Sequence, residues 1–284
     1  MADAKPRKAW RAALGTAALA LAWLFGVWPP PVWWRDHWPR CTAMMRERAD
    51  WRTAGRPDGN SQSACPPVRP SALRDISPVL QRMVIIGEDS RFRSHHGIDL
   101  AEIADALGAD GSRGFWGTAA AAWRRRDRLR GASTITQQLA KNLYLSPSRN
   151  PLRKLKEAVT ALRLELALPK DRILELYLNV VEWGPGVWGA EAASRAYFGV
   201  PAAQLDQGQA AALAATLPHP RSSNPTFRPD RMVARKNLIL ARYHGVDVYI
   251  PPEQEAESLV IVAPVESLHI EVPLPVDSTR DSLP

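Results

Sequence analysis

From Ala12 to Trp34 the chain runs for 23 residues without a charge, and Lys5, Arg7, Lys8 and Arg11 precede that run. A helix crossing a hydrocarbon core of ~30 Å needs ~20 such residues. Residues 12–34 are therefore predicted to form a transmembrane anchor behind a short basic terminus, residues 1–11. Trp28, Trp33 and Trp34 fall where an interfacial aromatic belt would lie, and Pro29 to Pro31 should end the helix. A signal peptide shares the charged start and the apolar stretch. No small-residue cleavage site stands before Arg35, however, and bulky Trp and Pro crowd that position, so an uncleaved anchor is the expectation. Arg35, Arg40, Arg46 and Arg48 follow as closely as the four basic residues precede, so charge asymmetry alone does not orient it.

The charge beyond the anchor is unevenly spread. Residues 1–70 carry net +6 (11 basic, 5 acidic), residues 71–242 net +9 (25 and 16), and the remainder net −7 (1 and 8). A basic front and middle call for an anionic partner, and the apolar segment favours lipid or a lipid-borne phosphate over nucleic acid. Cys41 and Cys65 are the only cysteines. Without further Cys, or His at ligand spacing, a zinc site is not expected, while a disulfide and two free thiols are both open.

Residues 35–70 mix Pro, Gly, Ser and charges without periodicity and read as a juxtamembrane connector. Residues 71–242 are rich in Ala, Leu and Arg at helical spacing; Leu155, Val159, Leu162 and Leu166 mark one helix over residues 153–168. Others are predicted over 101–107, 134–143, 171–181, 190–197 and 231–243, and no succession of strands is evident, so the core should be mainly α. After Arg242 the chain turns acidic, β-branched and Pro-punctuated, so residues 243–284 read as a tail with a short hairpin or partial order at best.

Four stretches could carry chemistry. In residues 85–99, apolar Met83 to Ile86 lead through Gly87 to Glu88 and Asp89, putting two carboxylates at the edge of a buried element. An ionised carboxylate there can act as a general base, although a helix-terminal acidic pair explains it too. His95 and His96 are weak metal-ligand candidates. In residues 131–145, Gly131, Ser133 and Thr134 look like a loop entering a helix N-terminus, where backbone N–H groups receive anions. Gln137 and Lys141, and Gln138 and Asn142, are then paired at four-residue spacing, as for a groove or a solvated face. In residues 148–165, Arg149, Arg153 and Lys154 concentrate phosphate-binding donors beside Glu157, a spacing that also fits an ordinary surface pair. In residues 170–200, Gly184, Gly186 and Gly189 allow close approach or positive φ between two helices, with Tyr197 and Phe198 in the core.

Taken together and in order, EDSRFRSHHGID, GASTITQQLAKN, RKLKEAVTALRLE, KDRILELYLNVVEWGPGVWGAEAASRAYFG and a looser LPHPRSSNPTFRPDRMVAR resemble the family 51 glycosyltransferases that polymerise bacterial peptidoglycan. The resemblance covers roughly residues 75–242. It implies a mainly α, lysozyme-like bilobal glycosyltransferase domain over 71–242, behind the transmembrane helix. It further implies polymerisation of lipid II into β-1,4-linked strands by inverting transfer, with release of undecaprenyl diphosphate. By the same resemblance Glu88 is the base and Glu157 the second essential carboxylate. Lys141, Arg149, Arg153 and Lys154 hold the donor pyrophosphate, and Asp89, Phe92, Ser133, Gln137, Gln138 and Asn142 line the cleft. Some members use a divalent cation, Mg or Mn, at that pyrophosphate, which this sequence leaves open. The expected partners are lipid II, the growing strand, membrane lipids and other cell-wall proteins, with the domain outside the cytoplasmic membrane.

No serine-x-x-lysine motif occurs, and the stretch after Arg242 is too short for a transpeptidase domain, so the monofunctional form is expected. Residues 108–130 look longer than the family's usual connection; their Arg residues with Phe115, Trp116 and Trp123 would suit lipid headgroups or a solvated insertion equally. The acidic tail has no counterpart, and its removal from Val246 is expected to leave polymerisation within a few-fold. Two rivals remain. A lysozyme-like hydrolase would share fold and acid but has no use for the Arg153 and Lys154 cations. A non-catalytic scaffold has no use for Glu88 and Glu157.

Overall fold

Helix α1 spans Ala4–Phe25 in the computed structural model, which describes residues 4–48, 65–66, 68–102, 133–145 and 150–251. The helix starts inside the basic terminus, and it stops at Phe25, a turn before the Pro29 to Pro31 stretch expected to end it. Its apolar part, residues 12–25, is ~21 Å long at ~1.5 Å per residue, and no helix among the described residues is long and apolar enough to cross a membrane. The chain then enters a 3-10 turn, Pro31–Arg35, which inverts the expected role of one tryptophan. Trp34 is core, its Nε1 donating to the Tyr144 hydroxyl at 2.6 Å, whereas Trp28 and Trp33 stay exposed. Burial pushes that Tyr144 hydroxyl up to about 12.

The front of the expected connector is also part of the domain. Arg35 Nε donates to the Ala167 carbonyl at 2.6 Å, and Arg172 reaches the carbonyls of Trp34 and His37 while its guanidinium lies over the Trp38 ring. Helix α2, Ala43–Glu47, is capped by the Thr42 hydroxyl and buries Met44 and Met45. Arg48 pairs with the buried carboxylate of Glu182, which also holds Arg221 at 2.9 Å. Cys41 and Cys65 form a disulfide, with Cα atoms 5.6 Å apart. Irregular spacing hid this order, because single anchors such as Trp34 and Met45 leave no period.

Two groups of helices build the domain. In the first, α3 (Pro78–Glu88) starts with Pro at its first turn and buries Leu80, Met83 and Val84. It packs with α8 (Gln207–Thr216) and α9 (Asp230–Tyr243). Helix α8 escapes a periodicity search because it is buried on nearly every side, from Ala210 to Thr216, so no apolar stripe contrasts with a polar one. In the second group, α4 (Ile135–Tyr144) packs on α5 (Pro151–Ala167) and α6 (Lys170–Val180). Thr134 and Gln137 close a capping box on α4, and Asn150 caps α5. The helix expected over 101–107 is described only to residue 102, and the 108–130 connection lies outside the described residues.

Helix α5 forms where its leucine spacing predicts, yet it faces the other way. Glu157, Thr160, Ala161 and Leu164 are buried, whereas Leu152, Leu155, Leu162 and Leu166 are exposed, the last to 85%. After α6, the short hairpin of β1 (Glu182–Gly184) and β2 (Val187–Trp188) pairs Glu182 with Trp188 and leads into α7 (Ala190–Phe198). Two glycines there are required: a Cβ at Gly184 would stand 2.0 Å from the Tyr197 hydroxyl oxygen, and Gly189 has φ +85° against the Asn179 carbonyl.

Candidate active site

Helix α3 ends on Glu88, whose side chain is 9% exposed and receives donors from distant parts of the chain. Gln138 Nε2, from α4, donates to Oε2 at 2.9 Å, and Arg235 Nη2, from α9, lies 3.4 Å from Oε1. The buried Tyr177 hydroxyl donates to Gln138 Oε1 at 2.8 Å. That bond fixes which end of the amide faces Glu88. A carboxylate so held is desolvated yet kept in hydrogen-bond contact, the condition for a positioned proton acceptor. Tyr177 and Arg235 were not singled out in the sequence; the one signal for Arg235 is that it closes the last matched motif.

Asp89 turns away from this arrangement. Its buried carboxylate accepts the Ile135 N–H at 2.9 Å and the ring of His95 at 2.9 and 3.0 Å. Because His95 Nδ1 accepts the Gly97 N–H at 3.2 Å, Nε2 is the protonated nitrogen and donates to Asp89. Thr134 Oγ1 donates to the Gly97 carbonyl at 2.7 Å. The loop after Glu88 is thus tied to the first turn of α4, which carries Gln138. Phe92, expected to line a cleft, has no exposed surface, and Lys170 Nζ stands 4.5 Å above its ring. Asp99 is buried and bonded to Arg91 Nε at 2.7 Å. Burial opposes its ionisation, but the Glu102 N–H and the Arg91 guanidinium hold the carboxyl below its ordinary value.

The cationic cluster sits at the start of α5. Arg153 Nη1 donates to Glu157 Oε2 at 2.7 Å, Lys154 Nζ bonds the other carboxylate oxygen, and Lys154 also donates to Ser133 Oγ at 2.9 Å. Glu157 is nearly sealed at 3% side-chain exposure, whereas Lys154 keeps 45%. The carboxylate therefore aims the cations, and Lys154 keeps surface free to meet an anion at a helix N-terminus. Of the four polar residues expected as a stripe on α4, Gln137 is engaged in the capping box and Asn142 in a bond to the Gln138 carbonyl. Gln138 alone of the amides reaches Glu88, with half-buried Lys141 one turn further on. Arg149 lies outside the described residues.

Among the described residues, two acidic neighbourhoods could be asked to take a divalent ion, and in both the carboxylates already have other partners. Asp89, His95 and Asp99 have atoms within 4.8 Å of one another, but their inner lone pairs and protons are already committed to Ile135, Gly97, Arg91 and each other. Among the described residues the α5 cluster offers a single carboxylate, already bonded to two cations. Its charge suits a phosphate directly.

The family model for transglycosylases matches residues 67–244. Among curated proteins, the biosynthetic peptidoglycan transglycosylase of Azoarcus sp. (strain BH72) is 41% identical over 242 residues, 85% of this chain and 96% of that protein. The biosynthetic peptidoglycan transglycosylase of Thiobacillus denitrificans is 41% identical over 81% of this chain and 92% of its own length. That of Bordetella pertussis is 43% identical over 74% and 80%.

Proposed function

This chain belongs to the transglycosylase family, and from that premise we propose that it is a peptidoglycan glycosyltransferase that polymerises lipid II, with Glu88 as its general base. The observation that carries the reading is the largely enclosed Glu88 carboxylate between Gln138 and Arg235, in the same domain as the Glu157-aimed cations Arg153 and Lys154.

Glu88 takes the proton of the acceptor's 4-hydroxyl as that oxygen attacks the anomeric carbon of the donor sugar. The bond from that carbon to the diphosphate breaks, and the configuration inverts from α to β. This is the logic of a base acting on the face opposite the leaving group. The leaving diphosphate is stable as an anion, so it needs cations near its oxygens more than it needs a proton. Lys154, Arg153 and, by the motif, Lys141 and Arg149 supply them. A hydrolase acting on finished strands expels an alcohol instead and gains nothing from this cluster. Incubating the protein with lipid II and sizing the products tests the reading. Growth of long glycan that disappears in Glu88→Gln supports it, and shortening of preformed glycan overturns it.

A membrane location follows from the substrate and has its own support. The exposed leucines of α5 and the exposed Leu14, Leu19, Leu21, Trp23, Phe25 and Trp28 of the front segment belong to adjoining elements. Lys156 lies 4.9 Å from the Trp23 ring and Arg163 donates to the Phe25 carbonyl, so α1 is fastened to α5. We read these surfaces as facing lipid at the outer side of the cytoplasmic membrane, with α1 as anchor. The Cys41–Cys65 bond suits the oxidising side.

A further inference from the structure

The family match ends at residue 244, but the structure does not treat the next residues as a tail. Gly245 turns the chain at φ +88°, Val246 N–H bonds the Ala241 carbonyl at 3.0 Å, and Arg242 Nη1 donates to the Val248 carbonyl at 3.1 Å. Ile250 packs on the core and Pro251 is buried. The Pro251 carbonyl accepts Arg235 Nη1 at 2.6 Å. The other terminal nitrogen, Nη2, donates to the Gly87 carbonyl at 2.5 Å and faces Glu88 Oε1 at 3.4 Å. Arg235 is itself only 10% exposed.

Resting on the assignment of Glu88 as base, we propose that residues 246–251 form a strap that orients Arg235, and that Arg235 is a positioning residue for Glu88. The planar guanidinium offers donors in a fixed fork. The Pro251 carbonyl on Nη1 and the Gly87 carbonyl on Nη2 hold the two terminal nitrogens, and that pair of bonds decides where Nη2 points. With the Pro251 carbonyl removed, one edge of the fork is left without its acceptor in a largely buried place, and the group rotates to find another. Glu88 then loses a fixed cation and part of its orientation. The neutral Gln138 amide supplies the other contact from α4 and does not replace the charge. This departs from the expectation that deletion from Val246 is tolerated: the boundary between tail and catalytic unit falls after Pro251.

The test is lipid II polymerisation by the purified protein, with kcat and KM separated and thermal melting recorded. A chain lacking residues 254–284 should polymerise within about two-fold of the full chain. One lacking 246–284 should lose kcat by ~10-fold or more with KM little changed, as should Arg235→Gln in the full chain. Combining the two should cost no more than the larger single loss, since both remove one coupled unit, and Arg235→Lys should recover part of the rate. Full kcat after deletion of 246–284, or losses that multiply in the combination, would overturn the proposal. If the shorter chain melts, Arg235→Gln in the full chain decides alone: wild-type kcat, or a loss confined to KM or stability, rejects it. Glu88→Gln runs alongside. Near wild-type polymerisation by that variant means the base is misassigned, whereas its inactivity beside a fully active deletion rejects the strap only.

Discussion

Gln138 donates to Glu88 at 2.9 Å and so joins the two helical groups at one carboxylate. The bond is directional because Tyr177, fully buried on α6, occupies the amide oxygen. The base is therefore held in place from α4, and α4 in turn from α6.

Gln138→Leu should remove the bonds that the Tyr177 hydroxyl and Glu88 Oε2 make to the amide. Polymerisation should fall by ~10–100-fold and stability by about 1–3 kcal/mol, the usual cost of a buried polar group left unmade. Tyr177→Phe removes only the orienting bond and should cost a few-fold in kcat. A Tyr177→Phe enzyme with wild-type kcat would mean that this hydroxyl does not aim the amide. Steady-state kinetics with parallel melting curves make the comparison.

The acids on α3 and α5 should fail differently. Glu88→Gln keeps size and most hydrogen bonds but loses the basic lone pair, so the rate should fall ~10²–10⁴-fold with lipid II binding nearly intact. Lys154→Ala should weaken donor engagement. Glu157→Gln should resemble Lys154→Ala, because Glu157 is almost sealed and its known partners are Arg153 and Lys154. Single-turnover kinetics and binding measurements on the three variants separate them, and a Glu157→Gln enzyme that binds normally but does not turn over would give Glu157 a direct part in the chemistry.

Asp99 provides a pH signature of stability. Its folded pKa is held below the ordinary value of 3.8, so the folded state binds its proton less readily than the unfolded chain. The stabilisation is complete above that value and is lost as pH falls through the lower, folded one. Asp99→Asn should therefore lower the melting temperature near neutral pH, and the gap to wild type should narrow only under strongly acid conditions. A gap that stays constant down to acid pH would show that the Asn amide, and not the missing charge, is responsible.

Truncation at the front should have a sharp limit. Removing residues 1–25 should weaken flotation with liposomes while leaving the melting temperature within a few degrees. Removing residues 1–38 should destabilise the domain, because it takes away Trp34 and the carbonyls that Arg172 holds. Exchanging Leu155, Leu162 and Leu166 for Gln in the shorter protein should reduce the remaining flotation without lowering stability, since all three are exposed. Unchanged flotation would remove α5 from the membrane-facing surface.

Local chemistry by itself determined where several helices start. Thr134 with Gln137 and Asn150 before Pro151 act within a few residues of themselves, so the starts of α4 and α5 are set by neighbours alone. The glycines of the hairpin were legible for the same reason, and the ordered motifs pointed to Glu88, Lys154 and Glu157 as a set. Only tertiary structure decided which way a helix faces. The leucine period of α5 predicts a helix whichever side meets the core, and here the side bearing Glu157 and Leu164 is buried. Helix α8 was hidden because burial on all sides erases period. Trp34, Tyr177 and Arg235 were illegible because their partners lie 110, 39 and 147 residues away. A contact across such a distance is settled by how the two helical groups come together, which no stretch of neighbouring residues encodes.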